Sequence, residues 1–440
     1  MAKKTCITGG TLVTMNEKRE ILPEATIAFE GDRITGVFPK GTWHPEGEEE
    51  LILAKGMVVM PGLVNTHIHS RPFRALGDTL PSAEWHTRYA HRLSRSMNEE
   101  TTYLGGLIAF AENLKSGATC VGNMPPFIAG VDRAAWDIGI RAILFPHGGA
   151  DPKFADSNES LETTAENVAR TGNQKGKRVQ LWFGFGHPTE SDKDFFRRMR
   201  EYATQYQTGI CGHVAISQRE IDLNLERYGK PIVEYFADTG FLGPDVLLDH
   251  GNYLNPKEIK LMVESGTRLS HCPSAVMKVG NLITPVLEML ESGLIMGIGT
   301  DGPLSTYRLD MFEIMRLTCF LQRLAKKTSA VMPAGKALEL ATLGGAKALG
   351  LDKEIGSLEV GKKADLILVN FRQAHLAPVV GGRHSNLLAL LVFSCSAGDV
   401  DTVIVDGNVV VRHSRLQTVN ENEIVDWADK NAAEVLSQVE

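Results

Sequence analysis

Short apolar runs rich in β-branched residues recur through the middle of the chain, and a stretch with helical spacing follows each one. Eight such runs lie between residues 57 and 301: MVVMPGLVNT, ATCVGN, IRAILFP, VQLWFGF, TGICGH, DVLLDH, TRLSH and LIMGIGTD. A typical helical stretch is ETTYLGGLIAFAENLKSG, in which Gly117 stops the pattern. Eight alternations over about 240 residues predict an α/β fold, a (β/α)8 barrel. A doubly wound open sheet is the alternative, but no GxGxxG or Walker-type loop follows any strand.

The two ends of the chain carry a different pattern, the alternation typical of β-hairpins. Near the N-terminus, TIAFEGDRITGVF places two alternating runs around a Gly-Asp turn, and VDTVIVDGNVVVR near the C-terminus does the same around Asp406-Gly407. Each end alone offers too few strands for an independent core. We therefore expect both ends to share one small β-structure outside the barrel.

Composition supports a globular chain and excludes two classes of partner. The 440 residues are 43% hydrophobic, enough to bury a barrel-sized core and an accessory domain. A net charge of −7 provides no basic footprint for nucleic acid, and no Lys/Arg-rich amphipathic stretch suggests a membrane surface. Since neither a signal-type apolar segment nor a run of eighteen apolar residues occurs, we predict a cytoplasmic protein.

The six cysteines are scattered without a CxxC pair. That spacing is typical neither of a disulfide framework nor of a thiolate zinc site. Reduced and mostly buried thiols are the expectation.

Candidate chemistry lies where the predicted strands end, because the active sites of such barrels lie at the carboxyl ends of the strands. The first run ends in His67-Ile68-His69, and the two-residue period of a strand turns both imidazoles to one face. The fifth run ends in His213, the sixth in His250, the seventh in His271 and the eighth in Asp301. A barrel gathers these ends into one ring.

This ring predicts a metal site. Zinc and similar divalent metals bind imidazole nitrogen and carboxylate oxygen, and a catalytic site keeps one position for water. Three histidines and one aspartate of the ring would serve. A single histidine taken alone is more often a core or surface residue, but the joint placement at strand ends favours a metal.

The sequence resembles the amidohydrolase superfamily over essentially its whole length. The resemblance rests on the order and spacing of PGLVNTHIHS, GDTLPSAEWH, ENLKSGATC, HCPSAVMKVG, GIGTDG, GSLEVGKKADLILVN and VDTVIVDGNVVV. Within the superfamily, the GDTLPSAEW and C-terminal segments are most similar to the branch that holds guanine and S-adenosylhomocysteine deaminases and the s-triazine hydrolases.

The resemblance implies a β-sandwich built by both chain ends, with domains at 1–57, 58–355 and 356–440, the last including a terminal helix. It implies one divalent metal, zinc first and iron second, held by four ligands, with His250 facing the substrate; the ligands are His67, His69, His213 and Asp301. Two-metal relatives use a carbamylated lysine after the fourth strand, and LWFGFGHPTES has none.

The chemistry follows from the metal's charge, which lowers the pKa of its water from about 15.7 toward about 7. Asp301 can then take the proton released on attack, and His250 can orient the nucleophile or stabilise developing charge. Deaminases of this branch also carry a glutamate in an HxxE pattern after the fifth strand. Here that position is Ile216.

Three interpretations of Ile216 stay open. Glu220 or Glu190 replaces the missing acid from another loop; or the reaction needs no ring protonation, as for an amide, urea, carbamate or halogenated ring; or the chain is a non-enzymatic homologue, against which the intact ligand set argues. Residues expected to touch the substrate are Trp85, His187, Ile216, Lys278 and Asn281. The alternative for Trp85 is a loop anchor.

The sequence therefore predicts a metal-dependent hydrolase of C–N or related bonds in a small nitrogen-rich compound. Hydrolytic deamination of an amino-heterocycle is the leading hypothesis. The alternatives are an amide, urea or carbamate hydrolase and an s-triazine-type hydrolase that releases halide or amine. We expect a small-molecule substrate and a homo-oligomer.

Overall fold

Strands and helices alternate along most of the computed structural model, which describes residues 4–45, 47–150, 159–171 and 177–437. Its strands are β1 (Lys4–Val13), β2 (Ile21–Glu30), β3 (Arg33–Phe38), β4 (Glu50–Leu53), β5 (Met57–Pro61), β6 (Leu63–Ile68), β7 (Ala118–Asn123), β8 (Arg141–Leu144), β9 (Val179–Leu181), β10 (Phe183–Phe185), β11 (Ile210–Val214), β12 (Val246–His250), β13 (Arg268–His271), β14 (Met296–Ile298), β15 (Leu366–Asn370), β16 (Val400–Val405), β17 (Asn408–Arg412) and β18 (Arg415–Leu416).

The α-helices lie mainly between the strands of the central region. They are α1 (Ser82–Trp85), α2 (His91–Ser96), α3 (Glu99–Lys115), α4 (Ile128–Ile138), α5 (Leu161–Thr171), α6 (Lys193–Tyr206), α7 (Gln218–Tyr228), α8 (Ile232–Asp238), α9 (Pro256–Ser265), α10 (Pro273–Lys278), α11 (Val286–Glu291), α12 (Pro303–Thr306), α13 (Met311–Lys326), α14 (Ala334–Glu339), α15 (Gly345–Ala348), α16 (Leu387–Phe393) and α17 (Glu421–Ser437).

Strands β6 to β14 form the predicted barrel of parallel strands. Two hydrogen-bonded runs, β6 to β9 and β10 to β14, are joined at Trp182, where the fourth barrel strand is divided into β9 and β10. The amide N–H of Trp182 donates to the carbonyl of Leu144 at 2.8 Å, and that of Phe183 donates to Gly209 at 2.9 Å. The circle closes where the Asp301 N–H donates to the His67 carbonyl at 3.0 Å. The prediction of a (β/α)8 barrel is confirmed.

The strands of both chain ends form one sheet of nine strands. Its order is β18, β17, β16, β15, β5, β1, β2, β3, and β4 pairs with β1. The halves meet where β15 runs antiparallel to β5. The two hairpin turns touch each other, because a Cβ on Gly407 (φ +74°) would lie 1.9 Å from the carbonyl oxygen of Gly31. Only glycine fits at that position.

Side chains of this sheet alternate between two cores, as the two-residue period of a strand requires. In β15, Leu366 and Leu368 join the sheet's own core, while Ile367 and Val369 join the larger core that includes the barrel helices. The sheet is therefore packed on one face against the barrel. The division into domains at 1–57, 58–355 and 356–440 stays a prediction.

A buried ionic cluster joins the amino end of barrel strand β8 to the sheet. Arg141 donates from Nε to Asp365 at 2.8 Å and from a terminal nitrogen to the same carboxylate at 3.0 Å. It also contacts Asp406, in the turn between β16 and β17. Lys363 lies 3.8 Å from Asp406 and pairs with Asp32. These carboxylates raise the pKa of Arg141 despite its burial.

All six cysteines lie within the described residues; each is buried, and none forms a disulfide. Among the helices of the described chain, none combines the length and the apolar character required to cross a bilayer.

Candidate metal centre and active site

Three histidines meet at the carboxyl end of the barrel. His67 is the penultimate residue of β6, His69 directly follows that strand, and His213 lies in β11. The Nε2 atoms of His67 and His69 are 3.2 Å apart, and each is 3.3 Å from the Nε2 of His213. All three residues are buried. The HxH spacing and the fifth strand end thus bring three imidazoles to one point.

The other ring nitrogens fix the tautomers. Nδ1 of His69 donates to the carbonyl of Met124 at 3.1 Å, and Nδ1 of His213 donates to the carbonyl of Gly186 at 2.9 Å. A carbonyl can only accept, so these imidazoles carry their proton on Nδ1 and a lone pair on Nε2. The third histidine is backed differently, because Nδ1 of His67 lies 3.0 Å from a carboxylate oxygen of Asp249.

Burial and charge keep two of the three rings neutral. Burial and the neighbouring imidazoles lower the pKa of His69 and His213 well below the usual value. Burial also acts to lower the pKa of His67, but the carboxylates of Asp249 and Asp301 outweigh it and raise that pKa. The neutral form is the one that binds a metal.

The arrangement fits a tetrahedral divalent ion. The three Nε2 atoms face one another at 3.2–3.3 Å. The lone pairs of His69 and His213 repel at this distance unless a cation lies between them. Two nitrogens bound at about 2.05 Å to a tetrahedral zinc ion are about 3.3 Å apart. The nitrogen spacing therefore matches an ion that binds His67, His69 and His213. His213 also belongs to a second group of possible metal ligands, with His147 and His187.

Asp301 and His250 lie beside the three imidazoles. Oδ1 of Asp301 is 3.5 Å from Nε2 of His69 and accepts from the Gly302 N–H at 2.5 Å. The His250 ring stacks on that of His213 with centroids 5.3 Å apart. Both residues have a left-handed backbone, with φ +61° at Asp301 and +71° at His250. Such strain in non-glycine residues is concentrated at functional sites.

A cavity of about 440 Å³ opens directly above these groups. The apolar part of its lining includes Leu80, Trp85, Ile216, Ala275 and Met277. Among the described residues, Asp301 is the one carboxylate that lines it. Burial raises the pKa of Asp301. A cavity of this size holds a substituted heterocycle.

The comparisons with known proteins agree with this geometry. Residues 58–410, most of the chain, match the amidohydrolase family. The chain belongs to the amidohydrolase family. Amidohydrolases and the similar deaminases hydrolyse C–N bonds. The chain is therefore a hydrolase of C–N bonds other than peptide bonds.

Several curated relatives of this amidohydrolase are named as deaminases. It is 34% identical over 392 residues to a 5'-deoxyadenosine deaminase of Methanobrevibacter smithii, covering 88% of each chain. It is 35% identical over 418 residues to a 5-methylthioadenosine/S-adenosylhomocysteine deaminase of Desulforudis audaxviator, covering 94% of each. The predicted resemblance to this deaminase branch is confirmed.

Solved structures share the fold. A zinc-bound adenosine deaminase from Xanthomonas campestris superposes with a TM-score of 0.91 at 24% identity over 99% of each chain. A triazine hydrolase from Arthrobacter aurescens gives 0.87 at 21% identity over the full length of both. At these identities the likeness establishes the fold alone.

Four of the five residues predicted to bind substrate line the cavity of this amidohydrolase: Trp85, His187, Ile216 and Lys278. Trp85 also donates from its indole to the Leu76 carbonyl at 2.8 Å, so it anchors a loop as well. Asn281 is not among the lining residues. Its amide donates to the carbonyl of Ile216 and its oxygen accepts from Tyr253 at 2.5 Å. Its role as a substrate contact stays a prediction.

Neither candidate for a relocated acid lines the cavity. Both oxygens of Glu220 accept backbone N–H groups, from Ala215 at 2.9 Å and from Ile216 at 3.1 Å. Glu190 accepts from the N–H of His187 at 3.2 Å. These carboxylates therefore hold the loops that follow the fourth and fifth barrel strands.

Sequence reasoning missed two residues of the site. Asn252 lines the cavity and donates to the Ile216 carbonyl at 3.2 Å, but its position two residues past His250 carried no signal. Asp249, behind His67, was hidden in the apolar run DVLLDH, where an acid before the final histidine was the available signal.

Proposed function

We propose that this amidohydrolase removes ammonia from an amino-heterocycle by hydrolysis at one divalent metal. The observation that carries the proposal is the meeting of three Nε2 atoms, of His67, His69 and His213, within 3.2–3.3 Å of one another. These residues, with Asp301, would hold the ion. When bound, such an ion lowers the pKa of water so that hydroxide is available near neutral pH.

The protein's own groups would manage protons and orientation. The Asp301 carboxylate, at the floor of the cavity, is placed to accept the proton released on attack and to return it to departing ammonia. His250, stacked on His213, is placed to orient the nucleophile or to stabilise the charge that develops in the tetrahedral intermediate. Trp85, Ile216 and Met277 would exclude water from the substrate ring.

Finer properties belong to the same proposal. Zinc is the preferred metal, as in the solved adenosine deaminase, and iron is the alternative. We also propose a homo-oligomer in the cytoplasm, as the sequence predicts. His187 and Lys278, both at the cavity wall, are proposed as substrate contacts.

Ile216 supports a second candidate, the release of halide or amine from an electron-poor ring. An apolar residue stands where an acid would protonate the ring nitrogen, and the described lining holds no other carboxylate than Asp301. A ring that is already electron-poor and carries a good leaving group needs no such protonation. The triazine hydrolases have the same fold.

One panel of substrates tests both candidates. Zinc-loaded protein is assayed with 5'-deoxyadenosine, 5'-methylthioadenosine, S-adenosylhomocysteine, an amino-s-triazine, a chloro-s-triazine, a urea and an amide. Ammonia, amine and chloride are measured separately. We expect ammonia from an amino-heterocycle and a loss of about 10²–10⁴-fold in Asp301→Asn.

Metal content is measured in the same samples, so that lost rate is assigned to proton transfer only where the metal is retained. Chloride or amine as the sole product would favour the second candidate. Turnover of the urea or amide alone would contradict both.

A further inference from the structure

A carboxylate lies directly beneath the metal centre, inside the barrel. Oδ2 of Asp249, in β12, is 3.0 Å from Nδ1 of His67, and both side chains are wholly buried. The thiol of Cys211, in the adjacent strand β11, donates to the same oxygen at 3.1 Å.

The three imidazoles are thus backed unequally. His69 and His213 donate to the neutral carbonyls of Met124 and Gly186, whereas His67 faces a charged group. A carboxylate behind a ligating imidazole fixes the ring and makes the opposite nitrogen a stronger donor. The bond from His67 to a cation should therefore depend most strongly on the group that contacts Nδ1, the Asp249 carboxylate.

Asp249 is compensated at only one of its two oxygens by the described residues. Its Oδ1 has no hydrogen-bond partner among the described residues. A thiol is a weak donor, and a buried carboxylate without strong donors is unfavourable. In the cluster formed by three imidazoles, Asp249 and Asp301, the two carboxylates bring two negative charges. A divalent cation at the three imidazoles would add opposite charge beside them.

We propose that Asp249 is a positioning residue that sets the affinity of the metal centre. It holds the His67 ring with Nε2 toward the other two imidazoles and adds negative charge behind it. Cys211 holds the carboxylate in turn. The inference rests on the proposed metal-dependent function, but it concerns metal affinity, which is measured without substrate.

The test compares zinc dissociation constants. Metal-free parent protein and Asp249→Asn are titrated with zinc in competition with a chromogenic chelator. We expect the variant to bind about 10–100-fold more weakly. With cobalt(II) in place of zinc, the visible absorption bands should shift, because the donor strength of His67 has changed.

Asp245→Asn is the matched control, since it makes the same chemical change just before β12 at a carboxylate that pairs with Arg200 outside the barrel interior. Its zinc affinity should equal that of the parent. A dissociation constant for Asp249→Asn within twofold of the parent, with a lower unfolding free energy for the metal-free protein, would show a merely structural carboxylate and overturn the inference.

Cys211 provides a second, milder test that holds even where Asp249→Asn does not fold. Cys211→Ala removes the donor to Asp249 and should weaken zinc binding by a few-fold, while Cys211→Ser supplies a hydroxyl donor and should restore it. Equal affinities in the two variants count against the inference. Absence of zinc binding in the parent would overturn the proposed function as well, whereas unchanged affinity with intact turnover would overturn this inference alone.

Discussion

Two buried polar clusters lie at opposite ends of the barrel strands and differ in how their charges are satisfied. At the amino end of β8, Arg141 meets carboxylates that use its donors, and Lys363 continues the alternation of charges. At the carboxyl ends, the Nε2 atoms of three imidazoles point at one another. The donors and acceptors of the first cluster are matched within the protein, whereas the imidazoles of the second are placed to hold an ion.

The comparison gives a practical criterion. Both clusters are buried and both perturb the pKa values of their members, so neither burial nor pKa alone separates structure from function. The separating feature is whether donors and acceptors match within the protein. Arg141 joins the barrel to the sheet, whereas His67, His69 and His213 form a group that could hold a cation.

Removing one member of the unmatched cluster should have the largest effect on function. In His213→Ala we expect metal content to fall from about one equivalent to near zero. Turnover should fall by more than about a thousandfold, because water without the ion has a pKa of about 15.7 rather than about 7. Metal analysis and steady-state rates measure both.

His375→Ala is the control, since His375 pairs with Asp399 and is half exposed outside the cavity lining. Its metal content and rate should match the parent. Two equivalents of metal in the parent protein, or full activity in metal-free His213→Ala, would contradict a mononuclear centre.

Removing Arg141 should break the matched cluster and affect stability instead. Arg141→Ala leaves Asp365 and Asp406 without their buried partner, and we expect a loss of about 3–5 kcal/mol in the free energy of unfolding, measured in urea. Zinc affinity of the folded protein should not change. Arg412→Ala, which breaks an exposed contact of 3.8 Å with Glu50 in the same sheet, should cost at most about 1 kcal/mol. Equal losses in the two variants would refute the distinction.

The smallest effect is expected at Glu220, a buried carboxylate beside the active site but matched within the protein. Since both of its oxygens accept backbone N–H groups, Glu220→Gln should cost about 1–2 kcal/mol of stability and change turnover by less than tenfold. Ser217→Ala, which removes the N-cap of α7 beside the same loop, should cost a similar amount. If Glu220→Gln alone abolishes turnover while retaining metal, the missing acid was relocated to Glu220.

Much of the fold and of the ring of candidate ligands could be predicted from the sequence because both follow local rules. Strand periodicity placed His67 and His69 on one face, and parallel strands bring their carboxyl ends to one edge, which placed His213 near them. The contact of Asp249 with His67 could not be predicted. The contact joins β6 and β12, which are distant in sequence. The distance between these two strands across the barrel depends on how the ring of eight strands closes.

Loop contacts were unpredictable for a related reason. Asn281 follows the seventh barrel strand, so its position suggested the cavity, yet its side chain holds the Ile216 carbonyl. The direction of a loop side chain depends on packing between segments that carry no periodic pattern. The division of the fourth barrel strand at Trp182 escaped prediction because the run VQLWFGF has no turn residue or change of pattern at that position.

The shared sheet of the two chain ends has a consequence for synthesis on the ribosome. Strand β5 pairs with β15 through Pro61 and Leu366, positions 305 residues apart (366 − 61). At about 5–20 residues per second, translation takes about 15–60 s to supply the missing neighbour. Throughout that interval the apolar strand Val58–Met60 presents an open edge, which is a template for wrong pairing. We expect the yield of folded protein to depend on elongation rate and on chaperones that cover this edge while the barrel is being made.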